Sequence, residues 1–217
     1  MKLSDKLTMI QEQMAAQVPA EILAAFGESL QQLMASQPEE KALKAGDIAP
    51  DFAMNFNGES LSLTDLLKNG PVVINFFRGN WCPFCMAELE YYQALLSKQD
   101  GSMIDIEPQH QAIQFLFISP QKAEYHTALM DEKNFNLQFI SDTHNTIAKK
   151  FGLVFQLDDQ IQKIYKAIGA DLSQFNGDDS FELPMPATYV IDPSGKITHA
   201  FLDANYMVRA EPDAFFE

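Results

Sequence analysis

The stretch Val72-Val73-Ile74-Asn75-Phe76-Phe77 constrains the fold more than any other part of the chain. A nearly continuous apolar run of this length suits a strand buried on both faces of a sheet, which requires helices above and below it. It is soon followed by Trp81-Cys82-Pro83-Phe84-Cys85, and then by a helix beginning near Pro83 that carries Met86, Leu89, Tyr92 and Leu96 on roughly one side. The only two cysteines of the chain therefore stand where a buried strand gives way to a helix.

The pattern downstream repeats this alternation and predicts an α/β domain. Ile113 to Ile118 reads as a second buried strand and Ala123 to Asn134 as a crossover helix. Phe139 to Ser141 reads as a short strand, with Ser141-Asp142 capping a helix that holds Ile147, Ala148 and Phe151. Ile161, Ile164, Tyr165 and Ile168 recur at helical spacing between Asp158-Asp159 and Gly169, and Asn176 to Asp179 reads as loop. Ala187 to Ile191, the turn Asp192-Pro193-Ser194-Gly195, and Lys196 to Phe201 predict a hairpin.

Ahead of the domain, Leu3, Leu7, Ile10 and Met14, then Ile22, Phe26, Leu30 and Leu33, predict two amphipathic helices, with Pro19 as the first residue of the second. Residues 1–45 are read as a helical extension and 46–217 as the main domain. The extension is expected to pack on the main body or on a second copy of the chain, as a homodimer, and no chemistry is assigned to it.

A cysteine in the first turn of a helix meets unpaired backbone N–H groups and the positive end of the helix dipole, which favour thiolate over thiol. Such settings lower a thiol from ~8.5 into the range ~3.5–7.5. Residues three apart on a helix are neighbours, so Cys82 and Cys85 can approach the ~5.5–6 Å Cα separation of a disulfide. A zinc site would instead need two of His110, His126, His144 and His199 to converge on the pair from scattered places. A redox dithiol needs no metal or organic cofactor.

Several further segments, in order, resemble the alkyl hydroperoxide reductase/thiol-specific antioxidant, or peroxiredoxin-like, branch of the thioredoxin superfamily. Gly46-Asp47-Ile48-Ala49-Pro50-Asp51-Phe52 is similar to that branch's opening motif, and Leu61-Ser62-Leu63-Thr64-Asp65-Leu66 to the strand and turn after it. Phe117-Ile118-Ser119-Pro120 resembles the strand end after the redox helix, and Pro186-Ala187-Thr188-Tyr189-Val190-Ile191-Asp192 the cis-proline strand. The resemblance implies a thioredoxin-like fold, a central mixed sheet flanked by helices, with a cis Met185–Pro186 bond abutting the cysteines. It also implies a hydroperoxide substrate and thioredoxin or another small dithiol as electron donor.

Two registers compete at the cysteines. In the peroxiredoxin pattern P-x-x-x-T-x-x-C with a glutamate three residues on, Cys85 takes the peroxidatic position, Arg78 the proline, Cys82 the threonine and Glu88 the glutamate, while the later arginine falls on Pro186. In the thioredoxin pattern W-C-x-x-C, after Trp81, Cys82 attacks and Cys85 resolves. There the buried acid expected in the preceding strand is missing, because Asn75 and Phe76 cannot take a proton, and Glu88 is a substitute or simply a first-turn helix-dipole residue. Arg78 is either a cation beside the thiolate or a solvated surface residue, and Arg209 belongs to a C-terminal pattern that similar chains share. The first register describes a thiol peroxidase; the second, a protein thiol-disulfide oxidoreductase with Pro186 at a peptide-binding edge, or a redox sensor.

Charge excludes other classes. Fifteen Lys+Arg against 30 Asp+Glu give a net charge of −15, the wrong sign for nucleic acid or anionic membrane. The charged N-terminus MKLSDKLTMIQEQ lacks the apolar core of a signal peptide, and a cytoplasmic location is expected.

Overall fold

Strict alternation along the central strands sends side chains to both faces of one sheet, and the computed structural model, which describes residues 1–56, 59–97, 103–104 and 113–215, shows what covers each face. In chain order, helices α1 (Leu3–Gln17) and α2 (Ala20–Ala35) precede the ribbon β1 (Ala53–Phe56) and β2 (Glu59–Ser62), helix α3 (Leu63–Leu67) and strand β3 (Val72–Phe76). Then come α4 (Pro83–Ser97), β4 (Met103–Ile104), β5 (Ile113–Ser119), α5 (Ala123–Lys133), β6 (Phe139–Ser141), α6 (Thr146–Lys150) and β7 (Val154–Gln156). The chain continues through α7 (Asp159–Ala167), α8 (Leu172–Asn176), β8 (Glu182–Pro184), β9 (Ala187–Ile191) and β10 (Ile197–Leu202).

The main sheet has the order β10-β9-β3-β5-β4, with β6 also along β5. β3 runs parallel to β5 and antiparallel to β9, so the apolar run is central, as its composition demands, and all five of its residues are buried. One face, bearing Ile74, Phe76, Leu116, Ile118, Tyr189 and Ile191, packs on α3 and α6 through residues such as Leu66 and Phe151. The other face presents Val73, Phe115, Phe117 and Val190 to Phe84, Leu89 and Tyr92 of α4. Asn75 and Thr188, opposite one another in the β3–β9 register, belong by alternation to this second face.

The extension joins this second layer. Leu3 and Leu7 of α1 are buried with the α4 residues, each contributing about 1.5–3 kcal/mol of transfer free energy. Ala25 and Phe26 of α2 pack instead on Ile161 and Tyr165 of α7. Ser29 Oγ donates to Asp158 Oδ2 at 2.6 Å, tying α2 to the residue that caps α7. The C-terminal segment folds back as well, where Glu211 accepts the N–H groups of Leu3 and Ser4 at 3.0 and 2.8 Å and so caps α1.

Several expectations are refined. Pro19 caps α2 rather than opening it, and Asn176 closes the short helix α8, which places that part of the expected loop in a helix. The β7–β8 pair has no strong alternation and is visible only in the structure. The expected cis bond before Pro186 is a correction: no peptide among the described residues is cis. Met185 N–H donates to Leu153 O at 2.9 Å, so the edge expected to receive a peptide is already occupied by the chain's own backbone. Among the described residues no helix is long and apolar enough to cross a membrane.

Candidate active site

The loop between β3 and α4 can make its turn only because of Gly79. Its φ is +152°, and a Cβ placed there would lie 2.4 Å from Trp81 Nε1. The turn closes with Cys82 N–H donating to Gly79 O, and Cys82 O accepts the first helical bond from Met86 N–H at 3.0 Å. Cys82 therefore caps α4 and Cys85 sits in its first turn. Both are free thiols and buried, and they interact with each other at the start of the helix.

Burial alone would push both thiols up. At Cys82 that effect is outweighed by the hydrogen bond from Cys85, by the Arg78 and Arg209 cations and by the Cys85 N–H, so its thiol lies well below the ordinary range. Cys85 goes the other way: burial raises it, and its hydrogen bond to Cys82 and the charge there raise it further. Cys82 also lines a cavity of about 320 Å³ with Arg78, Trp81, Tyr165 and Tyr206, and Cys85 is not part of that lining.

Arg78 is 2% exposed, not a solvated surface residue. Its guanidinium lies 5.0, 5.6 and 4.3 Å from the ring centroids of Trp81, Tyr165 and Tyr206, donates to Tyr165 Oη, and keeps a buried Nε with no partner. Glu88 is not a first-turn surface residue either. One turn further along α4 it points into the core, 1% exposed, where Oε1 accepts from Asn75 Nδ2 at 2.9 Å and Oε2 pairs with Arg209 Nε at 2.6 Å. Asn75 Nδ2 also donates to Thr188 Oγ1 at 3.0 Å. Burial raises Glu88, against the pull of Arg209. Arg209 Nη2 completes the network at 3.5 Å from Cys85 Sγ.

The structure thus brings Cys82, Cys85, Arg78, Trp81 and Glu88 together. It leaves Pro186 buried ahead of β9 and outside the lining of the Cys82 cavity. Reading residues singly missed Tyr165, which was visible only as one apolar position of a helix, and Tyr206, three residues before Arg209 in the C-terminal pattern. It also passed over Asn75, which takes no proton but orients the Glu88 carboxylate. The histidines are engaged elsewhere: His126 with Ser119 and Ser141, His144 with Asp178, His199 with Thr198, while His110 lies outside the described residues. Among the described residues no cluster of three or more His, Cys, Asp or Glu is placed to hold a metal ion.

A mixed sheet whose central strand delivers a C-x-x-C pair to a helix N-terminus defines a thioredoxin-like redox domain. Within that class the chain belongs to the AhpC/TSA family, whose model matches residues 45–200, and it is a peroxiredoxin-like member of the thioredoxin superfamily. It is 26% identical over 162 residues to peroxiredoxin Bcp of Escherichia coli, covering 74% of this chain and 86% of that one. It is 26% identical over 161 residues to the thiol-disulfide oxidoreductase ResA of Geobacillus thermodenitrificans, covering 73% and 70%. Among solved structures, peroxidoxin BcpB from Mycobacterium tuberculosis superposes with a TM-score of 0.59 at 21% identity, over 80% of this chain and 94% of that one.

Proposed function

We propose that this chain is a thiol peroxidase that reduces hydroperoxides through a Cys82–Cys85 dithiol–disulfide cycle. The Cys82 thiolate attacks the terminal peroxide oxygen; the O–O bond breaks, Cys82 becomes a sulfenic acid, and the departing oxygen takes a proton to leave as water or an alcohol. Cys85 then condenses with the sulfenic acid, releasing water and forming the disulfide, which thioredoxin or another small dithiol reduces. Arg78 holds the thiolate and faces the charge that develops on the leaving oxygen, the task the family register assigns to residues this chain lacks. Glu88 fixes Arg209, whose Nη2 lies 3.5 Å from Cys85 Sγ and faces negative charge on that sulfur when the disulfide is reduced. Residues 46–217 form the catalytic unit in this reading, supported by a family match that begins at residue 45, and the enzyme works in the cytoplasm.

The observation that carries the reading is that the buried Arg78 cation, which pairs with no carboxylate among the described residues, lines the same cavity as Cys82 and not Cys85. This favours Cys82 over the register that made Cys85 peroxidatic. Hydrogen peroxide mixed with each reduced variant provides the test. Cys85→Ser should still form a trappable sulfenic acid in about one equivalent, and Cys82→Ser should form none; the reverse result returns the attack to Cys85.

A second reading, a protein thiol-disulfide oxidoreductase, is favoured by one observation: attacker outside and resolver inside is the thioredoxin arrangement. It predicts fast reduction of a protein disulfide and only slow reaction with peroxide.

A further inference from the structure

A second cavity, also about 320 Å³, lies beside the one that holds Cys82. The two share Phe26, Arg78, Tyr165 and Tyr206. Its walls are α2 and α7, with Leu30 and Leu33 from one side and Leu157 and Ile161 from the other. The Ser29–Asp158 hydrogen bond holds these walls in place. Phe26, Leu30 and Leu33 all precede residue 45, where the family match begins, so the α2 wall of this groove comes from outside the matched region.

We propose that the α2–α7 groove binds the organic part of the hydroperoxide, and that the N-terminal helices select substrates with an extended apolar chain. The inference rests on the peroxidase reading. In R–O–OH the oxygen that leaves is the one bonded to R, and the thiolate attack places negative charge on that oxygen. Arg78 is the cation common to the linings of both cavities, so the leaving oxygen belongs beside its guanidinium. R then continues away from Cys82, into the groove. Hydrogen peroxide needs none of this space, since a water fills only about 30 Å³ of liquid, whereas cavities of roughly 300 Å³ and above accommodate small organic ligands.

The test compares kcat/KM for linoleic acid hydroperoxide and for hydrogen peroxide in the intact chain and in Leu30→Gln, a half-buried residue of α2 that lines the groove. The ratio of the two should fall about tenfold in the variant, because an apolar contact is replaced by one that must be desolvated; an unchanged ratio overturns the groove. A second readout does not depend on turnover. Trp81 is the single tryptophan and lines the adjoining cavity, so the alcohol derived from linoleic acid hydroperoxide should change its fluorescence saturably, with about tenfold weaker binding to Leu30→Gln. Saturable binding that the variant weakens, without reaction with either peroxide, supports the groove and removes the peroxidase reading. Peroxide turnover without alcohol binding removes the groove and leaves the enzyme standing.

Discussion

Arg78 and Arg209 flank the same pair of sulfurs, and the protein treats them in opposite ways. Arg209 is neutralised: Glu88 pairs with its Nε, the carbonyls of Tyr206 and Val208 accept from Nη1, and Nη2 faces Cys85. Arg78 is equally deep but, among the described residues, pairs with no carboxylate; three aromatic rings and the Tyr165 hydroxyl surround it. Aromatic faces attract a cation by only about 0.5–2 kcal/mol, far less than an ion needs to leave water. Arg209 is therefore a structural charge, and Arg78 is a charge whose field remains available to a thiolate and to whatever reacts with it. Burial raises both thiols; the Cys85 hydrogen bond to Cys82 then places the charge on Cys82, where Arg78 acts ahead of Arg209, while at Cys85 the order of the two arginines is reversed.

The sharpest way to break this contrast is Arg209→Met, which strands Glu88 in the core. Removing one partner of a buried ion pair costs about 3–5 kcal/mol, and urea unfolding at pH 8 should show a loss of that size. The sign of its pH dependence follows from Glu88. Burial raises its pKa, more so without Arg209, so the folded state holds its proton more tightly than the unfolded chain. Such a group contributes stability below its ordinary pKa that is lost as pH rises through the folded value. The loss in Arg209→Met should accordingly shrink at pH 5, where Glu88 can be protonated. An equal loss at both pH values would mean that Arg209 acts by packing alone.

Arg78→Met should do the reverse. Without a buried carboxylate to strand, the variant should keep its stability to within about 1 kcal/mol, or gain some, since replacing a poorly paired buried ion by an apolar chain is often neutral or stabilising. Reaction with hydrogen peroxide at pH 7 should nevertheless fall about a hundredfold, the scale of losing one donor to a developing oxyanion. The pH inflection of the reaction should climb toward the ordinary thiol value of about 8.5. If Arg78→Met unfolds as readily as Arg209→Met, the two arginines are equivalent and the comparison fails.

The same distinction marks what was legible in the sequence. The central strand, the C-x-x-C at the helix start, the hairpin and both N-terminal helices follow from local periodicity and capping, which need no knowledge of distant residues. Arg78 and Glu88 were candidates because they stand a few positions from the cysteines. Their roles could not be settled, because burial and pairing depend on Tyr165, Tyr206 and Arg209, which arrive from 87 to 128 positions further along the chain than the residues they meet. Asn75 illustrates the point: taken alone it is a residue that cannot titrate, and only the β3–β9 register and the buried face of α4 show it holding Glu88. The peptide-binding edge expected at Pro186 is likewise decided at a distance, since the N–H of Met185 is claimed by Leu153, thirty-odd positions earlier.

The smallest expected effect separates charge from placement within the Arg78 site itself. Tyr165 Oη accepts a hydrogen bond from Arg78 Nη2, and burial raises the phenol so that it stays neutral at working pH. Tyr165→Phe removes about 1 kcal/mol of hydrogen bond while keeping the ring under the guanidinium. The cation should then be less well held, and peroxide reactivity should fall several-fold. Its field at Cys82, no longer partly met by the phenol oxygen, should not weaken, so the pH inflection should stay in place or move slightly down. A rise of the inflection in Tyr165→Phe, matching that of Arg78→Met, would show that the hydroxyl itself stabilises the thiolate, and Tyr165 would then rank with Arg78 as a residue that touches the reacting sulfur rather than one that positions its cation.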